Sequence, residues 1–451
     1  MSGNLQKAPD EPVREVDWIL FNADWLVTCD SRMTRYESGA VAIEGNRLVA
    51  VGASDEVKKS FRGKNQFDLA GYLLMPGLVN THTHAAMSLF RGIGDDLPLK
   101  EWLEQVIFPA EGTFINPETV YLGTMLAAIE MLKSGTTCFC DGYFFENSAA
   151  RAAIDCGIRA VLGQGILDFP SPDQPDPRQF MATAKEFLAD FPENDCIRPS
   201  LFCHAPYTCG PNTLKSIKRL CREKGILFQT HLSETFAEVE EIRKRYRQRP
   251  GMHLQSLGVL DELTLCAHGT WVNDDEIRIL ARTGASVSNC PESNMKLASG
   301  VAPISALLSA GVRVGLGTDG CASNNNLDLF SEMDTAAKLH KVFLDDPLAF
   351  PAGQVLAAAT REGAYALGLG SEIGSLEAGK KADLIAIDLN QPHLIPLYDP
   401  VSHLVYSARG SDVAFVWVDG KQVVSGGKVL SVDEAGILAE AREMGKRIGE
   451  R

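Results

Sequence analysis

PGLVNTHTHAAM, residues 76–87, sets two histidines one residue apart directly behind an apolar run. In an extended strand, residues i and i+2 face the same side, so His82 and His84 project together from a strand end, which is how a chelate begins. Further along, TTCFCDGY, RAVLGQGILD, SLFCHAPYT, ILFQTHLSE, LTLCAHGT, ASVSNCPE and RVGLGTDG are again short apolar runs, each followed by a stretch of helical period. With GLVNTHTH they make eight strand–helix units. Eight units in residues 76–375 predict an α/β fold of the (β/α)8, TIM-like barrel type, although periodicity alone also fits a doubly wound open sheet.

On either side of these units the texture changes. WILFNADWLVTCD and AVAIEGNRLVAVG near the N-terminus are β-like, with EGN separating two alternating runs as in a hairpin, and ADLIAIDLN and DVAFVWVDGKQVVSGGKVL repeat the pattern near the C-terminus. Residues 1–75 and 376–451 are therefore expected to build one small β-sandwich domain together. The proline-rich DFPSPDQPDPRQF, residues 168–180, reads as a loop on the surface or over a pocket.

With 451 residues, 45% hydrophobic and 22% charged, the chain can bury a large core. A formal net charge of -15 argues against nucleic acid or an anionic membrane as partner and favours a small molecule. Eleven cysteines at irregular spacings, from Cys29 to Cys321, form no paired framework, and the first residues lack the basic-then-apolar pattern of a leader. A reducing cytoplasm is the expected compartment.

Metal-ligand residue types stand at the ends of the predicted strands: His82 and His84 after the first, His231 after the fifth, His268 after the sixth and Asp319 after the eighth. Taken singly, each has an ordinary explanation. An H-x-H pair is commonly two unrelated histidines, and Asp beside Gly in GTDG is everyday turn chemistry. In a barrel, however, strand ends converge on one mouth. Residues far apart in sequence can then meet.

Together, PGLVNTHTHAAMSLFRG, HAPYTCGP, THLSET, AHGTWV, SNCPESNMKLASGVAPI and GTDGCASNNNLDLF resemble the amidohydrolase superfamily, and within it the 5'-methylthioadenosine/S-adenosylhomocysteine deaminases. The resemblance implies that His82, His84, His231 and Asp319 bind one divalent metal per subunit. Three imidazoles and a carboxylate suit Zn2+, and ligand type alone does not separate it from iron or manganese. Binuclear relatives carry a lysine at the end of the fourth strand. Here that stretch reads SLFCHAPYT, so a single metal is expected.

By the same resemblance Glu234, three residues after His231, is the proton shuttle to the adenine ring and the departing amine. Without the motif it would read as a glutamate facing water near a helix N-terminus. His268 and Asp319 would orient and deprotonate the attacking water, Asp319 serving as both ligand and base because a carboxylate has a second oxygen. Glu111 matches a glutamate that binds the ribose 2'- and 3'-hydroxyls, and His204 a histidine near base and ribose. A buried core histidine is the plain alternative for His204 and His268, and an exposed helix charge for Glu111.

The sequence departs from the family at Gln164, where some members place an arginine for the homocysteine carboxylate. A neutral amide cannot form that charge-assisted pair, and only Arg178 in the following loop could compensate. The expected reaction is hydrolysis of the adenine C6 amine of 5'-methylthioadenosine, extending to S-adenosylhomocysteine or adenosine, with ammonia released. The alternatives are a deaminase or chlorohydrolase of guanine, 8-oxoguanine or a triazine, and a metal-binding barrel without turnover. Many similar enzymes form dimers or larger assemblies, so a homo-oligomer fits. SNNNLD is expected to shape a loop through its Asn and Ser side chains and to line the pocket. His253, His340, His393 and His403 fall outside the pattern and receive no role.

Overall fold

The structure, a computed structural model, describes residues 13–450. Residues 1–12, part of the segment assigned above to the small β domain and the segment read for a leader, lie outside the described residues.

Five strands open the chain: β1 (Arg14–Val27), β2 (Arg35–Glu44), β3 (Arg47–Ala53), β4 (Phe61–Asp68) and β5 (Tyr72–Pro76). The EGN turn joins β2 to β3 as an antiparallel hairpin, in which Glu44 faces Arg47 and Gly45 takes a φ of 58°. Eight parallel strands follow: β6 (Leu78–Thr83), β7 (Thr136–Tyr143), β8 (Arg159–Ile166), β9 (Ile197–Cys203), β10 (Leu227–Leu232), β11 (Thr264–His268), β12 (Ser286–Asn289) and β13 (Val314–Leu316). They pair in chain order and lie at the eight apolar runs of the sequence. The open-sheet alternative is set aside by how the two ends of this sheet meet.

The closing seam runs between β13 and β6 through side chains. Thr81 Oγ1 donates to the Leu316 carbonyl at 2.9 Å, and Asn80 Nδ2 donates to Thr318 Oγ1 at 2.7 Å. Close approach here depends on glycine. A Cβ on Gly315 would sit 2.4 Å from Thr81 Cγ2, and one on Gly317 would sit 2.6 Å from Ser288 Oγ. Beyond the seam the Asp319 N–H donates to the His82 carbonyl at 2.9 Å, which brings the eighth strand end beside the first.

After the barrel come β14 (Leu384–Asp388), β15 (Val413–Val418), β16 (Lys421–Ser425) and β17 (Lys428–Val429). β14 pairs antiparallel with β5, so both chain ends share one nine-stranded mixed sheet. Asp419 and Gly420, with φ of 51° and 77°, make the tight turn between β15 and β16 that a D-G pair favours. The sheet folds over on itself. Phe67 of β4 packs edge-on against Phe415 and Trp417 of β15, with ring centroids 4.8 and 5.8 Å away, although β1, β5 and β14 separate the two strands within the sheet. This is the sandwich core, lined by Leu20, Leu26, Ile43, Leu74, Leu384 and Trp417. Part of the C-terminal segment is helical, because EAGILAEAREMGKRIG has helical rather than strand period. Its helix Glu434–Gly449 ties to the barrel helix Pro117–Lys133 through a Lys133–Glu434 ion pair.

A buried ion cluster holds sheet and barrel together. Arg159, at the start of β8, donates from Nε and Nη2 to the two Asp383 carboxylate oxygens at 2.7 and 3.0 Å, and reaches Asp419 at 3.2 Å. This lies at the strand-start end of the barrel, opposite the strand ends that carry the histidines.

Candidate active site

The H-x-H pair sits at the end of β6 with both rings turned to the barrel mouth, their centroids 4.9 Å apart. Nδ1 of His84 lies 2.7 Å from the Gly142 carbonyl, which can only accept. Its proton is therefore on Nδ1, and Nε2 is left bare, 3.3 Å from Asp319 Oδ1. Nε2 of His82 lies 3.6 Å from the same oxygen and 3.2 Å from Nε2 of His231. Ligand atoms of His82, His84 and Asp319 all fall within 4.8 Å of one another, as do those of His82, His231 and His268. His82 links the two groups, so the five side chains form one cluster.

The electrostatics suit a cation. Burial pushes the imidazoles of His82, His84 and His231 below their ordinary range, and neighbouring imidazoles push His82 and His231 further. They are neutral, with lone pairs available. Burial alone would raise the Asp319 carboxyl, but its polar surroundings, the hydrogen bond from the Ser293 hydroxyl among them, hold it below the carboxylate range. Its Oδ2 is not free. It accepts from Ser293 Oγ at 2.6 Å and Ser323 Oγ at 2.9 Å, leaving Oδ1 as the oxygen that faces the histidines. Several neutral imidazoles and one ionised carboxylate are a donor set that fits Zn2+.

Two of these residues are held in left-handed backbone, Asp319 at φ 59° and His268 at φ 68°. Such strain persists where surrounding contacts over-determine it, commonly at functional sites. At the end of β11, His268 Nδ1 donates to Asn294 Oδ1 at 3.0 Å, and its Nε2 lies 3.9 Å from Glu234 Oε2. Burial raises the Glu234 carboxyl. Glu234 is thus no water-facing helix charge. It is drawn into the same floor.

Above the floor opens a cavity of about 460 Å³, lined by every expected ligand, proton carrier and ribose contact except His82, which lies beneath at 1% exposure. His204 borders it with Nδ1 bonded to Thr208 Oγ1 at 2.9 Å, and burial lowers its imidazole to about 3. Glu111, on the short helix Phe108–Phe114, is buried, and accepts from the Tyr143 hydroxyl at 2.6 Å. Burial raises its carboxyl to about 7 against the pull of that hydrogen bond. The outer wall is apolar: Leu99, Trp102, Leu103 and Ile107, with Phe169 and Pro170 of the proline-rich loop facing them. Phe108 and Phe169 approach to 6.0 Å between centroids. Among the described residues no lysine or arginine lines the cavity.

The two residues weighed for a substrate carboxylate both lie elsewhere. Gln164 donates to Asp173 Oδ2 at 2.6 Å, tying β8 to the proline-rich loop. Arg178 is largely exposed and pairs with Asp176 at 2.8 Å, so it offers the cavity no charge. Ser323 of SNNNLD lines the pocket as expected. The four histidines given no role lie away from the cluster. His253 stacks on Tyr246 at 3.9 Å, His340 packs on Phe350, His393 pairs with Asp412, and His403 bonds backbone carbonyls. The sequence reading missed Tyr143, Ser293, Asn294 and Thr208. Tyr143 ends a barrel strand, which could have flagged it, whereas the others act only on groups that were themselves inferred.

A family model described as the amidohydrolase family matches residues 73–423. The chain is 45% identical over 432 residues to a 5-methylthioadenosine/S-adenosylhomocysteine deaminase of Syntrophobacter fumaroxidans, covering 96% of this chain and 98% of that one. To a 5'-deoxyadenosine deaminase of Methanosarcina mazei it is 43% identical over 434 residues, 96% and 98% of the two chains. Among solved structures, an adenosine deaminase from Xanthomonas campestris with bound zinc superposes with a TM-score of 0.95 at 39% identity, covering 98% of this chain and 100% of that one.

Proposed function

The chain belongs to the amidohydrolase family, and on that premise we propose that it hydrolyses the C6 amine of adenine nucleosides, with 5'-methylthioadenosine preferred over S-adenosylhomocysteine. The observation that carries this reading is one cavity with two unlike ends. Its floor combines the histidines, Asp319 and Glu234, and its walls combine a buried Glu111 with apolar rings and no cation.

His82, His84, His231 and Asp319 would hold the divalent cation, zinc by donor type and as in the Xanthomonas relative. When bound, such a cation supplies the Lewis acidity that makes water nucleophilic at neutral pH. His268 has Nε2 bare because Nδ1–H is spent on Asn294, so it can accept a proton or a hydrogen bond from the attacking water. Glu234, whose carboxyl is raised by burial and stands beside His268, can give a proton to ring N1 and then carry the proton released by water to the departing amine. Water adds to C6, the C6–N bond breaks, and the products are the inosine analogue and ammonia.

Glu111 supports a nucleoside over a free base. Ionised, its carboxylate can accept from both the 2'- and 3'-hydroxyls of a ribose while Tyr143 fixes one of its oxygens. The wall formed by Leu103, Ile107, Phe108 and Phe169 lines the same cavity as Glu111, and suits a short apolar thioether. A homocysteine tail would bring an ammonium and a carboxylate into that wall with no partner for the carboxylate. A parallel ammonia-release assay of 5'-methylthioadenosine, S-adenosylhomocysteine, adenosine and guanine tests the proposal. The highest kcat/KM is expected for methylthioadenosine, and a faster rate on guanine would overturn it.

A further inference from the structure

A helix that begins with Thr at its N-cap and Glu three residues on ordinarily closes a capping box, the glutamate bonding the backbone N–H of the cap. Helix Phe236–Tyr246 begins that way. Thr235 is the N-cap and its Oγ1 accepts from the Glu238 N–H at 3.2 Å. Glu238 does not return to Thr235, however. Its Oε1 takes the Ser233 N–H at 2.8 Å and its Oε2 takes the Glu234 N–H at 2.8 Å. Both donors lie in the short link between β10 and the helix, where Ser233 has a φ of 50°.

Two further bonds hold the same link. The Trp271 N–H donates to the Ser233 carbonyl at 2.9 Å, and the Trp271 indole Nε1–H donates to the Ser299 carbonyl at 2.6 Å. Ser299 Oγ in turn donates to Glu234 Oε1 at 3.4 Å. Backbone and carboxylate of Glu234 are thus gripped from different elements: Glu238 from its own helix, Trp271 from the segment after β11, and Ser299 from the segment after β12. A left-handed residue directly before Glu234 costs conformational energy, and a buried carboxylate bonded to two backbone N–H groups is the contact that compensates. This arrangement fixes where the Glu234 side chain starts and therefore where its carboxyl ends, beside His268.

We propose that Glu238 is a positioning residue for the reaction: it clamps the Ser233–Glu234 backbone so that Glu234 is aimed at the substrate's reacting atoms, with Trp271 and Ser299 completing the clamp. The inference rests on the reading of Glu234 as the proton carrier. Glu238 touches neither substrate nor cation and acts only through Glu234. Gln at 238 keeps the shape but replaces one acceptor with an NH2 that cannot take an N–H, so one of the two backbone donors is released.

The test is a double-mutant cycle on the metal-loaded enzyme, reading kcat, KM, metal content and Tm. Glu238→Gln is expected to lower kcat about tenfold or more, with KM within about threefold and metal content unchanged. In a Glu234→Gln background the same substitution should change the residual kcat by less than about twofold, because the carboxyl it aims is already gone. Equal fold-losses in both backgrounds, or no loss in either, would overturn the clamp. Should Glu238→Gln fail to fold, Trp271→Phe, which removes the indole N–H and keeps an aromatic ring, though a smaller one, at a partly exposed position, is measured in the same two backgrounds. There, too, a loss confined to the Glu234 background supports the clamp and an equal loss in both refutes it. Glu234→Gln alone reports on the premise: a loss of less than about tenfold would remove Glu234 from the reaction, whereas a large loss with multiplicative Glu238 effects would refute only the clamp.

Discussion

The floor of the cavity and its outer wall are built by different means. The floor takes its side chains from the ends of β6, β10 and β11 and from residues just beyond β6, β10 and β13, which the paired strands and a few hydrogen bonds hold in place, and two of its residues are held in strained left-handed conformations. The outer wall comes from the segment Leu99–Ile107, partly π-helical, and from the proline-rich loop after β8. Strand ends hold chemistry to the tolerance it needs, and connecting segments can vary what is admitted without disturbing it. Floor and wall should therefore fail differently when altered.

Glu234→Gln should produce the largest effect, a fall in kcat of about 10²–10⁴ with metal content unchanged, because it removes a proton carrier and leaves the ligands in place. Steady-state ammonia release beside a metal assay checks it, and retention of near-normal turnover would break the assignment of chemistry to the floor. Next in size is Glu111→Ala, at the junction of floor and wall. Loss of charge-assisted hydrogen bonds worth about 1.5–3 kcal/mol lowers kcat/KM roughly tenfold to a hundredfold. The loss should vanish on a 2',3'-dideoxy analogue of the same nucleoside, and its persistence there would place Glu111 elsewhere than on the ribose.

The wall can be altered alone. Leu103→Arg gives the apolar end the cation it lacks, and should raise the ratio of kcat/KM for S-adenosylhomocysteine over methylthioadenosine by about tenfold, the worth of one charge-assisted pair. An unchanged ratio would mean that the 5'-substituent does not reach that wall. The smallest effect concerns pH. Glu111 titrates near 7, raised by burial and restrained by the Tyr143 hydroxyl. As pH rises through that value the carboxylate form fills, so KM for the nucleoside should fall on the alkaline side. Tyr143→Phe removes the restraint and should move that change to higher pH, which a KM–pH series on the two proteins measures. A shift to lower pH would contradict the cause assigned here.

The same contrast governs what could be read from the sequence. Apolar runs gave the eight strands, and a ligand-type residue behind four of them gave the floor, because strand period and strand end are local signals: His82, His84, His231, His268 and Asp319 all stand where a run stops. The (β/α)8 fold followed from that count, and closure then depended on Gly315 and Gly317, whose need for space is visible only against Thr81, Ser288 and His82. The supports of the floor were not legible. Ser293 and Asn294, in the segment after β12, act on Asp319 and His268 at the neighbouring strand ends, and Glu238 acts on backbone N–H groups, which carry no letter in a sequence. Nor was the wall. Leu99, Trp102, Leu103 and Ile107 belong to no motif, and the proline-rich loop opposite them is what makes them a wall. Arg178 illustrates the limit from the other side: proximity in sequence to Gln164 suggested compensation, but a local pair with Asp176 turns it to solvent.

The most direct measurement is a metal count per chain on the purified protein and on His82→Ala, whose ring joins both groups of ligand atoms in the floor. One divalent ion per chain, zinc when grown in its presence, is expected for the parent, and essentially none for the variant, with deamination lost alongside it. Two ions per chain, or an ion fully retained after His82 is removed, would contradict the single centre on which the account depends.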